Sequence, residues 1–509
     1  MKANFILRNL RLLTAIILFF SINSHAQKSM PVVHSKVGDK LETKNGELTV
    51  TCIGQKHGFG KGESYDADIR SPKSASFVPG GEKFYVNSLE GGKTVAYKTE
   101  CLEKIKTISH NFESGTGPMW LTPSGYYEFT HYPGGENKSF MGKPVEEAIT
   151  RDGKYMFVPY YRRTFDINAQ DPSALAVIDV EKDEIILMTE TGPLPKMVAL
   201  SNSGNLLAIT HWGNNTVGFL DISDEDPHKW HHLPPITIGN KLNLNYSLTK
   251  SIDRDSGSGY SLRGTVFLPG DSLLLISGMG GPLAVIDVKK MEWIGMIPSL
   301  SQMRHVIVKG GNIYMSRNSS GEVFSVPLDS LVQAIGRQRG STREFKIPGI
   351  KHVKVGGGAR TLKASPSGKY LFVACNSSSA LYVVDSEKME VIGSMAVDSF
   401  PVGLDISPDG KYLVVTSQGR KNGGGNAVNI YEIEYSDPAE EAASAAVAAE
   451  LKNPKNEVPE IKETIETNSV EKEDSSLILW IGIGLLGILV VSGIFGFYFR
   501  RKRGIESRG

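Results

Sequence analysis

A chain of 509 residues with 40% hydrophobic and 22% charged side chains has the balance of an ordinary globular protein long enough for several domains. Lys and Arg number 56 against 55 Asp and Glu, a formal net charge of +1 that argues against nucleic-acid binding driven by bulk charge. Three cysteines are too few for a disulfide-stapled, zinc-ribbon or iron–sulfur scaffold, and no C-x-x-C-H run is present for covalent haem attachment.

The first element is an export signal. Lys2, Arg8 and Arg11 precede the apolar run Leu12 to Phe20, and Ser24-His25-Ala26 puts small residues at the −3 and −1 positions of a cleavage site, so residues 1–26 read as a signal peptide. No cysteine follows that run, which disfavours a lipoprotein. The main body spans residues 28–435, and an orphan strand, Glu47-Leu-Thr-Val-Thr-Cys-Ile53, stands in it ahead of the first repeat unit.

The body repeats one unit. Ser365-Pro-Ser-Gly-Lys-Tyr-Leu-Phe-Val373 recurs as Ser407-Pro-Asp-Gly-Lys-Tyr-Leu-Val-Val415, as Thr150-Arg-Asp-Gly-Lys-Tyr-Met-Phe-Val158 and as Ser201-Asn-Ser-Gly-Asn-Leu-Leu-Ala-Ile209. Val78 to Val86 is a looser copy, and Leu268 to Asp271 and Lys309 to Asn312 are shortened ones. Each copy places a Pro/Asp/Gly turn between two β-rich runs, the mark of a hairpin. Third strands follow at Leu175–Asp179, Val217–Asp221, Leu283–Asp287 and Leu381–Asp385, and fourth strands at Glu184–Met188, Trp293–Ile297 and Val391–Ala396. Four antiparallel strands per repeat make a propeller blade. Seven units begin near Lys73, Val145, Lys196, Arg263, Arg304, Arg360 and Val402. The last stops after Ala427–Ile433, so the orphan strand is expected to complete it and close the ring. The expected fold is thus all-β, a seven-bladed β-propeller of four-stranded antiparallel blades.

Residues 436–475 are Ala-, Glu- and Pro-rich with an excess of acid, and read as an extended stalk in which Pro438 to Leu451 is able to form a helix. Residues 476–499 are apolar and uncharged, long enough for one transmembrane helix, and Arg500, Arg501, Lys502 and Arg503 open a basic tail of residues 500–509 expected on the cytoplasmic side. A propeller held on the extracytoplasmic side, in a periplasm or at a cell surface, follows from the two ends together. A sorting tail clipped after export fits the same residues.

The recurring SPDGKYLxV run with its following VID strand resembles the YVTN-type seven-bladed propeller repeat family over Pro72 to Glu434. The resemblance implies the fold; the fold hosts binding proteins, lactonases, and haem or quinone enzymes, so it leaves function open.

Aligned five residues before the turn, the units carry Lys73, Val145, Lys196, Arg263, Arg304, Arg360 and Val402, five of seven basic, at the start of the innermost strand beside the channel. Lys143 is close enough in sequence to join them. The second-strand ends meet the same face with Asn87, Tyr160, His211, Arg317, Asn376 and Gln418, flanked by Tyr161, Arg162, Arg163, Trp212, Asn214, Asn215 and Asn318. This is a funnel suited to an anionic or polar ligand, with Lys73, Lys196, Arg263, Arg304, Arg360, Arg317, Asn87, Tyr160, His211, Trp212 and Asn376 as its expected binding residues. The bland counterpart is a channel sealed by pairing with Glu146, Glu147 or Asp405. Two long inserts, Phe112 to Gly142 and Lys241 to Tyr260, emerge on this face and would serve as lids.

Binding of an anionic small molecule or an envelope protein is therefore the first expectation. The second is a lactonase-like hydrolase in which His211, Glu146 and Arg360 do acid–base work. A redox propeller with a non-covalent cofactor is the third. No metal and no resident cofactor are expected: Asp224, Glu225, Asp226, His228, His231 and His232 share a loop but fit no standard ligand spacing. A Cys52–Cys101 disulfide is left open by the export signal, and Cys375 is expected to be buried and inert.

Overall fold

The computed structural model describes residues 34–452 except 114–118, 131–138, 167, 243–258, 338–343 and 420–424. The signal peptide, most of the stalk and the 476–499 run lie outside the described residues. Among the described residues no helix is long and apolar enough to cross a membrane.

The strands build an all-β propeller. They fall into seven sheets, five of them plain four-stranded antiparallel sheets in sequence order. The first comprises Pro72–Phe77, Lys83–Ser88, Lys93–Lys98 and Lys104–Ser109. The third runs Pro195–Leu200, Leu206–His211, Thr216–Asp221 and His231–Thr237, and the fourth Leu262–Phe267, Leu273–Gly278, Pro282–Asp287 and Glu292–Ser301. The fifth holds Met303–Lys309, Asn312–Arg317, Glu322–Pro327 and Lys351–Lys354, and the sixth Ala359–Ala364, Tyr370–Cys375, Ala380–Asp385 and Glu390–Ala396.

Two sheets depart from this plan. In the second, the innermost strand is broken into Phe140–Pro144 and Ala148–Ile149, both paired with Tyr155–Arg163. Met119–Trp120 from the first insert joins its outer edge in parallel to Glu184–Thr191. The seventh sheet is completed from the other end of the chain. Leu48–His57 pairs antiparallel with Ala427–Tyr435, and Lys40–Glu42 adds a fifth strand outside it. This pairing spans nearly the whole body and covers an edge that would otherwise be open.

Apolar side chains explain the ring. Alternate residues of each strand face one neighbouring sheet or the other, so every sheet contributes to two cores. Seven buried clusters result, one between each adjacent pair of sheets, including one between the seventh and first built on Phe84, Val86, Val95, Val414 and Ile430. The repeated turns fix the hairpins: Gly368 and Gly410 have φ of 87° and 76°, which a side chain would strain, and each N–H closes the turn onto Ser365 or Ser407.

Two helices decorate the ring. Helix α1, Leu328–Arg337, links the third and fourth strands of the fifth sheet, and Leu331 and Ile335 on one face enter the core between sheets four and five. Helix α2, Pro438–Lys452, occupies the start of the stalk. Asp437 caps it by accepting from the Ala439 N–H at 3.0 Å, and Pro438 suits its first turn. Fully buried Glu440 accepts from the Ser365 hydroxyl at 2.8 Å and the Ser367 N–H at 3.0 Å, which docks the helix on the sixth sheet.

Candidate functional site at the channel mouth

The aligned basic positions coincide with a shared backbone irregularity. In six sheets the innermost strand carries one extra residue relative to its partner, between Pro72 and Ala75, Pro195 and Met197, Leu262 and Thr265, Met303 and His305, Ala359 and Leu362, and Pro401 and Gly403. These bulges contain Lys73, Lys196, Arg263, Arg304, Arg360 and Val402 in turn. A bulge frees a carbonyl from the ladder and re-aims the side chain. The freed carbonyls are caught by hydroxyls of the preceding sheet: Arg304 O by Ser277 at 3.3 Å, Val402 O by Thr361 at 2.7 Å, Lys73 O by Thr416 at 3.4 Å, and Arg360 O by Ser316. Val145, at the break in the second sheet, receives the Ser74 hydroxyl at 2.6 Å in the same way. The collar is therefore stitched from sheet to sheet.

The five cations converge. Lys196, Arg263, Arg304 and Arg360 line one cavity of about 20 Å³ together with Glu146 and His305, room for about a single water. Lys73 lies within reach of the same field. Burial, then the charges of Arg360 and Arg263, hold its ammonium well below the usual lysine range, with Glu146 acting the other way. Lys73, Lys196, Arg304 and Arg360 are all at most 9% exposed. Aromatic faces support the ring: Lys196 sits 3.8 Å from the Tyr161 centroid and Arg263 sits 4.6 Å from that of Trp212.

Behind the collar a second cavity of about 230 Å³ continues down the innermost strands, lined by Ser74, Ser76, Glu147, Thr265, Thr361 and Lys363 among others, with Glu146 and His305 bordering both. Burial pushes the Glu147 carboxyl up to about 8, Glu146 and Asp405 adding to the effect against hydrogen bonds from Ser74 and Ser76. It is thus largely protonated at neutral pH. Burial alone would lower Lys363, but Asp405 at 2.8 Å, with Glu146 adding to it, holds it above its ordinary value. Burial and the charges of Lys363, Arg304 and Arg360 drop His305 to about 3, so the imidazole there is neutral.

Several other expected site residues turn away from the collar cavity. His211 is fully buried, and burial with the neighbouring His232 lowers it to about 3. Its Nε2 accepts from the Gly192 N–H at 3.0 Å, so Nδ1 carries the proton and donates to Thr216 Oγ1 at 2.8 Å. The trio of His211, Glu146 and Arg360 does not assemble, since only Glu146 and Arg360 border the collar cavity. Tyr160 is buried in the core between sheets one and two, its hydroxyl 2.8 Å from His110 Nδ1. Arg317 turns back to the end of the fourth sheet, donating to Ser301 O at 3.0 Å with its guanidinium 4.3 Å from the Phe324 centroid. Asn87 is sealed, donating to Glu146 O at 3.2 Å and accepting from Thr94 at 2.5 Å. Trp212 is buried beneath Lys196 and Arg263, and Asn376 is buried near the start of the sixth sheet, its N–H bonded to Gly358 O at 3.0 Å. Lys143 is paired with Glu90.

Cys52, Cys101 and Cys375 are all free thiols, so no Cys52–Cys101 bridge exists here; Cys52 is buried and Cys101 exposed. Asp226 caps a short turn through the His228 N–H at 3.0 Å while His232 points inward to Thr189 at 2.7 Å, so that loop does not converge. Of the first insert, residues 121–130 cross the junction of sheets two and three rather than the channel mouth, and Tyr127 packs edge-on against His211 with centroids 5.5 Å apart. His131, Tyr132 and most of the second insert lie outside the described residues.

No family model matches the chain. A 155-residue stretch is 26% identical to Antigen Lp49 of Leptospira interrogans, covering 27% of this chain and 30% of that protein. The chain therefore spans under a third of that relative's length. Among solved structures, a chain of hydrazine synthase from Kuenenia stuttgartiensis aligns with 74% of this chain and 99% of its own, at 13% identity and a TM-score of 0.49. The Cps50 (Swd1) β-propeller domain of Myceliophteria thermophila aligns over the same shares at 10% identity and a TM-score of 0.47.

Proposed function

We propose that this protein is an exported, membrane-tethered propeller, its seven sheets read as seven YVTN-type blades, that binds an anionic ligand at the channel mouth. The observation that carries the reading is the coincidence of five cations with five of six equivalent bulges. A bulge costs ladder hydrogen bonds, and gathering like charges costs more. A seal needs neither, since apolar residues such as Val402 close a channel at lower cost. Residues 1–26 and 476–503 support the export and the tether.

The hydrolase reading survives only with another histidine. His305, not His211, borders the cavity shared by Glu146 and Arg360. A histidine held near 3 is a weak base at neutral pH, which ranks binding ahead of hydrolysis. The test is thermal stability of the full-length protein against a panel of anions, sugar phosphates, lactones and single-stranded nucleic acids, alongside Arg263→Ala/Arg304→Ala/Arg360→Ala. A ligand bound only by the folded state raises Tm in the parent and not in the triple variant. A panel that shifts neither protein rules out the anion site.

A further inference from the structure

We infer a second binding site, for a saccharide, in the cleft between the first insert and the junction of sheets two and three. A cavity of about 490 Å³ opens there, a size suited to a small ligand, and it shares no lining residue with the collar cavity. Its polar lining is Glu128, Thr130, Gln170, Asn214 and Lys241, with Tyr126 as the exposed aromatic at 40%. One acid and one base balance, so the cleft suits an uncharged ligand, in contrast to the cationic collar.

Gln170 is the decisive group. It is fully buried, yet neither its amide oxygen nor its amide nitrogen has a hydrogen-bond partner among the described residues. An orphaned buried amide is rare and calls for an explanation. A sugar hydroxyl both donates and accepts, and satisfies both of its ends once the side chain turns from the wall into the cleft. A tyrosine ring left at the surface beside such groups offers an apolar face for the C–H side of a pyranose.

The walls are built to hold still. Ser124 presents its N–H and hydroxyl to Glu190 at 2.6 and 2.5 Å, and the Thr130 N–H donates to Asp171 at 2.5 Å. The Gln170 N–H donates to Asp166 at 3.1 Å, and Asn214 accepts from Thr216 at 2.7 Å. The insert is thereby tied to sheet two at Ser124 and at Thr130, which holds that wall of the cleft in place.

The experiment is calorimetric titration of the full-length protein with glucose, galactose, mannose and N-acetylglucosamine, and with α- and β-linked tetrasaccharides of each to separate a free sugar from a glycan chain. Tyr126→Ala, at an exposed position, and Gln170→Leu are each expected to weaken binding at least tenfold. Gln170→Leu is also expected to melt no lower than the parent, because it removes an unsatisfied amide rather than a contact. Arg263→Ala/Arg304→Ala/Arg360→Ala should bind the saccharide normally, so failure of the anion reading would leave this one standing. Absence of binding by every saccharide overturns the site, as does binding that persists in both Tyr126→Ala and Gln170→Leu. A Gln170→Leu protein that unfolds at lower temperature overturns the role given to the amide.

Discussion

Replacing Arg360 by Met separates a ligand-binding collar from a structural seal. Arg360 is only 6% exposed, and its charge is among those that, after burial itself, lower the Lys73 ammonium. Two unit charges about 7 Å apart at an effective dielectric of about 20 repel by about 2 kcal/mol. The methionine keeps much of the aliphatic stem, so the variant trades that repulsion against a charge-assisted contact worth about 1.5–3 kcal/mol. The ligand-free variant should therefore stay within about 1 kcal/mol of the parent. With an anion bound, the variant also lacks the Arg360–anion hydrogen bond, a separate contact of the same size, and its loss weakens Kd about 12- to 140-fold. At an anion concentration of about 100 Kd the parent gains about 2.7 kcal/mol, while the variant at that concentration gains only about 0.3–1.3 kcal/mol. Urea unfolding followed by tryptophan fluorescence, with and without the anion, measures both numbers. Loss of more than about 3 kcal/mol without ligand, together with an unchanged anion effect, would show that Arg360 seals the channel and refute the argument.

His211→Leu leaves the buried Gly192 N–H unpartnered and takes one of the two partners of the Thr216 hydroxyl, which keeps Asn214, and should cost about 2 kcal/mol of stability while leaving the anion titration unchanged. A selective loss of binding or turnover in that variant would return His211 to the site. Burial holds His110, His211 and His305 near 3 and His232 near 4, below their ordinary value near 6.5. Their neutral forms stabilise the fold fully above about pH 6.5, and that stability drains away as pH falls toward 3–4. Glu147 works in the opposite direction: raised from 4.5 to about 8, it stabilises most below 4.5 and loses its contribution as pH rises toward 8. Urea midpoints for Glu147→Gln should lack that decline between about pH 4.5 and 8, and a profile parallel to the parent's would remove Glu147 as its source. Glu440→Ala strips Ser365 and Ser367 of their shared acceptor and should release helix α2 at a cost of about 1–3 kcal/mol, read as new protease cleavage within residues 438–452. Unchanged resistance would mean that Asp437, bonded to Lys369, and Ser444, bonded to the Asp409 carbonyl, hold the helix without it.

The fold was legible because its signals are local and repeated. A Pro/Asp/Gly turn followed by a β-rich run states a hairpin wherever it occurs, and the orphan strand at residues 47–53 was identifiable as the partner of 427–433 by elimination. Helix α1 was missed because it interrupts one repeat with ten residues whose apolar spacing is short and set among strands.

The site was legible only as far as the repeat carried it. The basic positions recur in register, so the alignment found them, although the bulges that hold them come from inter-sheet packing and leave no mark in one sequence. The second-strand residues failed for a reason with a definite period. Side chains alternate faces along a strand, so an error of one residue transfers a residue to the wrong side. Thr210 reaches forward to Thr265 of the next sheet, and its neighbour His211 turns back to Gly192. Ser316 reaches forward to the Arg360 carbonyl, and Arg317 turns back to Ser301. Sequence reading favoured the more reactive member of each pair, the histidine and the arginine. The small hydroxyls at Thr210, Ser277, Ser316 and Thr416, one residue inside the strand end, were the repeated signal, and at Ser277, Ser316 and Thr416 they fix the backbone of the next sheet's bulge. At Lys73, Arg304 and Arg360 the bulge carbonyl is held by a serine or threonine of the preceding sheet whatever side chain the bulge carries, so single substitutions there are expected to leave the collar's backbone in place.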